Sequence, residues 1–128
     1  MSTIDDIITV DRKVIKLDKG NITRGIRSDE DFFNPLEEIY FSEIIKNETK
    51  GWKLHKKMTM RLMCVTGNIE LNFKDENENE CNYVIGEKNQ KLLIVPPGIW
   101  FNFKGIDEKN ILVNFSSIIH EENEVIRK

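Results

Sequence analysis

The chain is poor in the residues that staple or puncture a fold, with only two cysteines and three prolines among 128 residues. Cys64 and Cys81 are far apart and form no CxxC pair, so the sequence encodes neither a disulfide framework nor a cysteine zinc site. Both read as reduced thiols, and Cys64, inside Leu62-Met63-Cys64-Val65, reads as a small core residue. No stretch approaches the about 18 apolar residues of a membrane span. The opening MSTIDDII lacks the basic start and apolar run of a signal peptide. A cytoplasmic protein with no membrane partner is expected. An excess of one charge is also missing: 19 basic residues face 22 acidic ones, for a net charge of −3. That balance argues against nucleic acid, whose binders show a basic excess.

What is present is enough for one core. A 15.0 kDa chain fits a single domain spanning 1–128 and buries a core without disulfides or metals. Short runs rich in β-branched and aromatic residues recur between turn signals: Val14 to Leu17, Ile39 to Ile45, Arg61 to Thr66, Ile69 to Phe73, Asn82 to Ile85, Leu92 to Val95, Trp100 to Phe103 and Ile111 to Phe115. Breaks fall at Gly20-Asn21, Asn34-Pro35, Lys50-Gly51, Gly67-Asn68, Asp75 to Glu80, Pro96-Pro97-Gly98 and Gly105. The count predicts an all-β antiparallel sandwich or barrel. Gly67-Asn68 predicts a tight hairpin, and Asp75 to Glu80 a solvated one. In Ile69-Glu70-Leu71-Asn72-Phe73 the odd positions predict a core face and the even ones a wet face. The C-terminal HEENEVIRK reads as a helical turn or a frayed tail.

Two segments carry the functional signal: KGWKLHKKMTMRLMCVTGN, residues 50–68, and VPPGIWFNF, residues 95–103. Their glycines and prolines resemble the frame of the two cupin motifs, which implies a single jelly-roll cupin domain. In that frame the metal-ligand positions fall on Lys53, His55, Met60 and Phe101. A divalent transition metal wants about three or four N or O donors, and one imidazole remains, so no metal is expected.

The chain further resembles the metal-free nucleotide-sugar branch of that fold, the dTDP-4-dehydrorhamnose 3,5-epimerase and dTDP-sugar 3,4-ketoisomerase group. The likeness runs through GNITRGIR, EIYFSEI, KGWKLHKK, VPPGIWFNF and ILVNFSSIIHEENE. It implies an epimerase or isomerase for a nucleotide-linked 4-keto sugar, working without a cofactor as a homodimer. The ketoisomerase motif has two histidines; here the first has become Lys53. In the epimerases one histidine is the base, matched by His55. The tyrosine acid of those enzymes falls near Asn114, which leaves the general acid open.

The residues suit such chemistry. Removing a proton beside a ketone near pH 7 needs a neutral base, and lysines around His55 disfavour imidazolium. Lys53 is the candidate to stabilise the enolate oxygen. On a strand Lys53, His55 and Lys57 would share a face. Tyr40 is a candidate proton donor if its strand faces the interior. A nucleoside diphosphate needs cations and flat surfaces: Lys50, Lys57, Arg61, Arg24 and Arg27 are candidates for the charge and Tyr40, Trp100 or Phe101 for stacking, with Asn102 and Asn114 as further substrate contacts. Glu43, Glu70 and Glu124 are alternatives for orienting the histidine. His120 reads as structural or exposed. The competing readings are a cupin that binds a sugar nucleotide without turning it over, and a barrel that serves only to dimerise.

Overall fold

Alternation of apolar and polar residues along short β-branched runs sets the architecture. The computed structural model describes residues 2–30 and 35–128. A 3₁₀ turn, Ile4–Asp6, opens the chain, capped by Thr3. The strands then follow as β1 (Ile8–Asp11), β2 (Val14–Ile15), β3 (Ile22–Thr23), β4 (Glu38–Glu43), β5 (Thr49–His55) and β6 (Met60–Thr66). After them come β7 (Asn68–Lys74), β8 (Glu80–Gly86), β9 (Lys91–Val95), β10 (Trp100–Gly105), β11 (Ile111–Ser116) and β12 (Val125–Arg127), the last preceded by a 3₁₀ turn, Glu122–Glu124.

Among the described residues two five-stranded antiparallel sheets result, ordered β1-β9-β6-β11-β4 and β12-β5-β10-β7-β8, with β2 and β3 as a separate ribbon. This is the all-β jelly roll expected of a cupin. Inward-facing Met60, Leu62 and Cys64 of one sheet pack with Ile69, Leu71, Phe73, Ile85, Phe101 and Phe103 of the other. Each such side chain contributes about 1.5–3 kcal/mol on burial. Cys64 is wholly buried, which pushes its thiol up to about 12. The alternation expected of Ile69 to Phe73 holds, with Ile69, Leu71 and Phe73 fully buried.

Three local expectations need correction. Gly67 does not close a hairpin: β6 pairs with β9 and β11, whereas β7 pairs with β8 and β10. The turn instead carries the chain from one sheet to the other. Gly67 has φ +71° and any Cβ there would come within 2.2 Å of the Lys109 carbonyl, so this crossing demands glycine. Asn110, fully buried beneath it, accepts from Asn68 N at 3.0 Å and Asp107 N at 3.1 Å and donates to the Ile44 and Asp107 carbonyls.

Lys50-Gly51 is likewise no break, because both lie within β5. Glycine is needed there since a Cβ would meet the Phe101 carbonyl at 2.6 Å. The C-terminal segment is neither a frayed tail nor a helix alone; its 3₁₀ turn leads into β12, which pairs with β5 through Val125–His55 and Arg127–Lys53. By contrast, the hairpin at Asp75 to Glu80 joins β7 and β8 as expected. Its Asp75 is buried, accepting from Asn77 N, Asn79 N and Ile4 N. The break at Asn34-Pro35 falls at its first residue outside the described residues.

Candidate active site

Between the two sheets lies a cavity lined by Tyr40, Lys50, Lys53, His55, Met60, Phe101, Asn114 and His120, with Ser42 and Arg127. The four positions of the cupin ligand frame, Lys53, His55, Met60 and Phe101, thus converge on one space. As donors they are an ammonium, an imidazole, a thioether and a phenyl ring, which does not fit a divalent transition metal. Among the described residues no three His, Cys, Asp or Glu side chains cluster for one.

His55 ends β5, and its position is fixed from three sides. Its carbonyl accepts from Gly98 N at 2.9 Å, so the Pro96-Pro97-Gly98 turn is tied to the base of the site. Its ring stacks on Phe101 at 5.4 Å and 15°. Its Nδ1 is hydrogen-bonded to Glu124 Oε1. Of the three carboxylates the sequence offered, the structure selects Glu124, because the pairing of β12 with β5 brings the residue before Val125 alongside His55. The second oxygen, Oε2, accepts from Lys57 N at 3.0 Å and Met58 N at 3.4 Å.

Burial lowers the His55 pKa below 6.5, outweighing the opposite pull of Glu124, so the ring is neutral at pH 7. Burial also pushes the Glu124 carboxyl up, but the Lys57 amide, His55 and the Met58 amide together outweigh it and hold the group below its ordinary value. The dyad is therefore a neutral imidazole donating Nδ1–H to a carboxylate. Its free basic atom is Nε2.

Tyr40 lies on β4, directly opposite Asn114 on β11. Asn114 Nδ2 donates to the Tyr40 hydroxyl at 2.9 Å, and Asn114 Oδ1 accepts from Arg61 N at 3.1 Å. A phenol therefore stands across the strand pair from the position where the resemblance wants one. Burial raises its pKa, which keeps it protonated.

The opposite end is cationic. β5 carries one extra residue against β10: Phe101 pairs with Lys53 and Phe103 with Lys50, leaving Trp52 unmatched. This bulge turns Lys50 to the same side as Lys53, although their odd spacing would otherwise oppose them. Lys50 Nζ reaches Ser42 Oγ at 3.1 Å. Arg127, opposite Lys53 on β12, completes the group and pairs with Glu122 at 2.7 Å. Burial, then Arg127 and Lys50, lower the Lys53 pKa.

His55, Lys53, Tyr40, Lys50 and Asn114 therefore meet in the cavity. Others of the expected set do not line it. Lys57 lies beyond the end of β5 and contributes only its backbone amide to Glu124, so it shares no strand face with Lys53 and His55. Arg61 is buried, with Nε donating to the Phe115 carbonyl at 2.9 Å. Arg24 and Arg27 border a separate surface depression with Arg12 and Glu30. Trp100 and Asn102 alternate with the inward Phe101 and Phe103 and so face the other way. Trp100 sits under Lys128 Nζ at 5.2 Å, and Asn102 accepts from Asn72 Nδ2 at 2.9 Å. Sequence reasoning left out Arg127 and Ser42, which only strand pairing brings to the site, and gave His120 no part in it.

A jelly-roll cupin with a carboxylate-held imidazole, a facing phenol and a cationic rim belongs among the sugar-modifying members of that fold. The chain matches the family described as WxcM-like, C-terminal (FdtA) over residues 6–128, and it belongs to that family. It is 27% identical over 130 residues to the probable low-salt glycan biosynthesis epimerase Agl13 of Haloferax volcanii, covering 94% of this chain and 83% of the relative. The dTDP sugar isomerase of Desulfovibrio desulfuricans G20 is 26% identical, with a TM-score of 0.91 over 97% of this chain and 84% of its own. The 3,4-ketoisomerase QdtA of Thermoanaerobacterium thermosaccharolyticum, seen in complex with TDP, shares the fold at 22% identity, with a TM-score of 0.83 and coverage of 98% and 90%.

Proposed function

We propose that the protein is a metal-independent isomerase or epimerase of a nucleotide-linked 4-keto-6-deoxy sugar. The observation that carries this reading is the buried His55–Glu124 dyad facing a cavity that also holds Tyr40 and Lys53. A neutral imidazole in that setting removes the acidic proton beside the ketone. Lys53 stabilises the oxygen that gains charge, and Tyr40, held by Asn114, donates a proton to it. Lys50 and Arg127 form the rim that meets the diphosphate. The substrate class is supported by the dTDP sugar isomerase and the probable epimerase among its relatives. No helix among the described residues is long and apolar enough to cross a membrane, and we take the chain to act as a single domain in the cytoplasm. The exposed Ile39 and Phe41 on the edge strand β4 support a homodimer, which light scattering would test.

Incubation with a dTDP-4-keto-6-deoxy sugar in deuterated water tests the chemistry. The wild-type protein should place deuterium on a carbon next to the ketone, and His55→Asn should abolish this while retaining the fold. Nucleotide binding without exchange on any such sugar would overturn catalysis and favour a binding protein.

A further inference from the structure

Resting on the reaction just proposed, we infer that His120 is its second proton-transfer group. The chain has two histidines, and the fold brings both to one cavity from different elements. The His120 ring meets His55 edge-on at 6.1 Å and 86°, and meets Tyr40 edge-on at 5.9 Å and 77°. Its position is not left to a loose loop. After β11 the Ser116 hydroxyl donates to the Ile118 carbonyl at 2.5 Å, and His120 N donates to Glu38 Oε1 at 2.8 Å.

The chemistry has a step for such a group. Moving a carbonyl to the neighbouring carbon, or inverting a carbon beside it, breaks one C–H bond and makes another. His55 takes the first proton, and the electron pair of that bond passes into the carbon–carbon double bond of an enolate, with charge on the former ketone oxygen. When the carbonyl moves, Tyr40 protonates that oxygen and takes back the proton that the neighbouring hydroxyl releases as it becomes the new ketone. The second C–H bond forms when a proton arrives and that electron pair returns to carbon. No external oxidant or reductant enters. A donor other than His55 has to be recharged after each cycle. His55 is held against Glu124, whereas His120 is an exposed residue that also lines the cavity. It can exchange protons with solvent while addressing the sugar from a direction that His55 does not.

The test separates the two proton events. With a dTDP-4-keto-6-deoxy sugar in deuterated water, His120→Gln should still incorporate deuterium into the substrate within about threefold of wild type. Its product formation should fall by about 10²-fold or more, the usual worth of a positioned acid or base. Free imidazole should restore turnover to His120→Ala, since the position opens to solvent. Unchanged product formation, or equal losses of exchange and turnover with no imidazole rescue, would overturn the assignment and leave the proposed function standing. Absence of exchange in the wild-type protein would overturn both.

Discussion

Replacing Glu124 by glutamine tests the dyad with little change in shape. The carboxylate now accepts three hydrogen bonds, from His55 Nδ1, Lys57 N and Met58 N. Glutamine has one carbonyl oxygen and one NH₂ group for the same three donors. With its oxygen kept on the two backbone amides, the NH₂ group faces Nδ1, and the ring must turn that nitrogen into an acceptor. The ring proton then sits on Nε2, the atom that should take the substrate proton. A related change of tautomer in the serine-protease triad costs about 10⁴ in kcat, so a loss of about 10²–10⁴ is expected in the rate of deuterium uptake at saturating substrate. Stability should change less, by about 1–3 kcal/mol, since one buried charge-assisted hydrogen bond is weakened. Exchange within threefold of wild type, with the fold intact, would refute the role of the dyad. A collapse of stability in step with activity would show Glu124 to be architectural.

Acid should weaken the protein in two stages. Because His55 titrates below 6.5 when folded, the unfolded chain takes up its proton first. Stability is then full above about 6.5 and falls as pH drops toward the folded value, by at most about 1.4 kcal/mol per pH unit for this one group. Glu124, held below 4.5, adds a second loss as pH falls from about 4.5 through its folded value. Melting temperature against pH should show the first loss in wild type and lack it in His55→Asn; identical curves would contradict the neutral buried ring. Tyr40→Phe should cut turnover about 10- to 10³-fold while leaving the melting temperature within a few degrees, and an unchanged rate would remove the phenol from the reaction. Asn110→Ala should cost about 2–4 kcal/mol in urea unfolding, because it strips partners from two amides and two carbonyls where the sheets exchange. A loss under 1 kcal/mol would count against that junction.

The sequence by itself determined the class of fold and the chemistry on offer. Period-two runs such as Ile69 to Phe73 state which residues turn inward, because side chains alternate strictly along a strand. The glycine and proline frame marked His55, and the residue types at positions 53, 60 and 101 argued against a metal, since donor chemistry is a property of the residue alone. Contacts between distant segments were not legible. Glu124 could not be told from Glu43 or Glu70 until β12 paired with β5. Arg61 reads as a binding cation but is buried under the Phe115 carbonyl. Lys50 and Lys53 share a side only because β5 bulges at Trp52, a shift in register that simple alternation cannot contain. Nor does the spacing reveal that Tyr40 stands across from Asn114, or that His120 returns to face His55. Local pattern fixes which way a strand turns its side chains, but which strands become neighbours is settled by packing of the whole sheet. The site is made almost wholly of such neighbours.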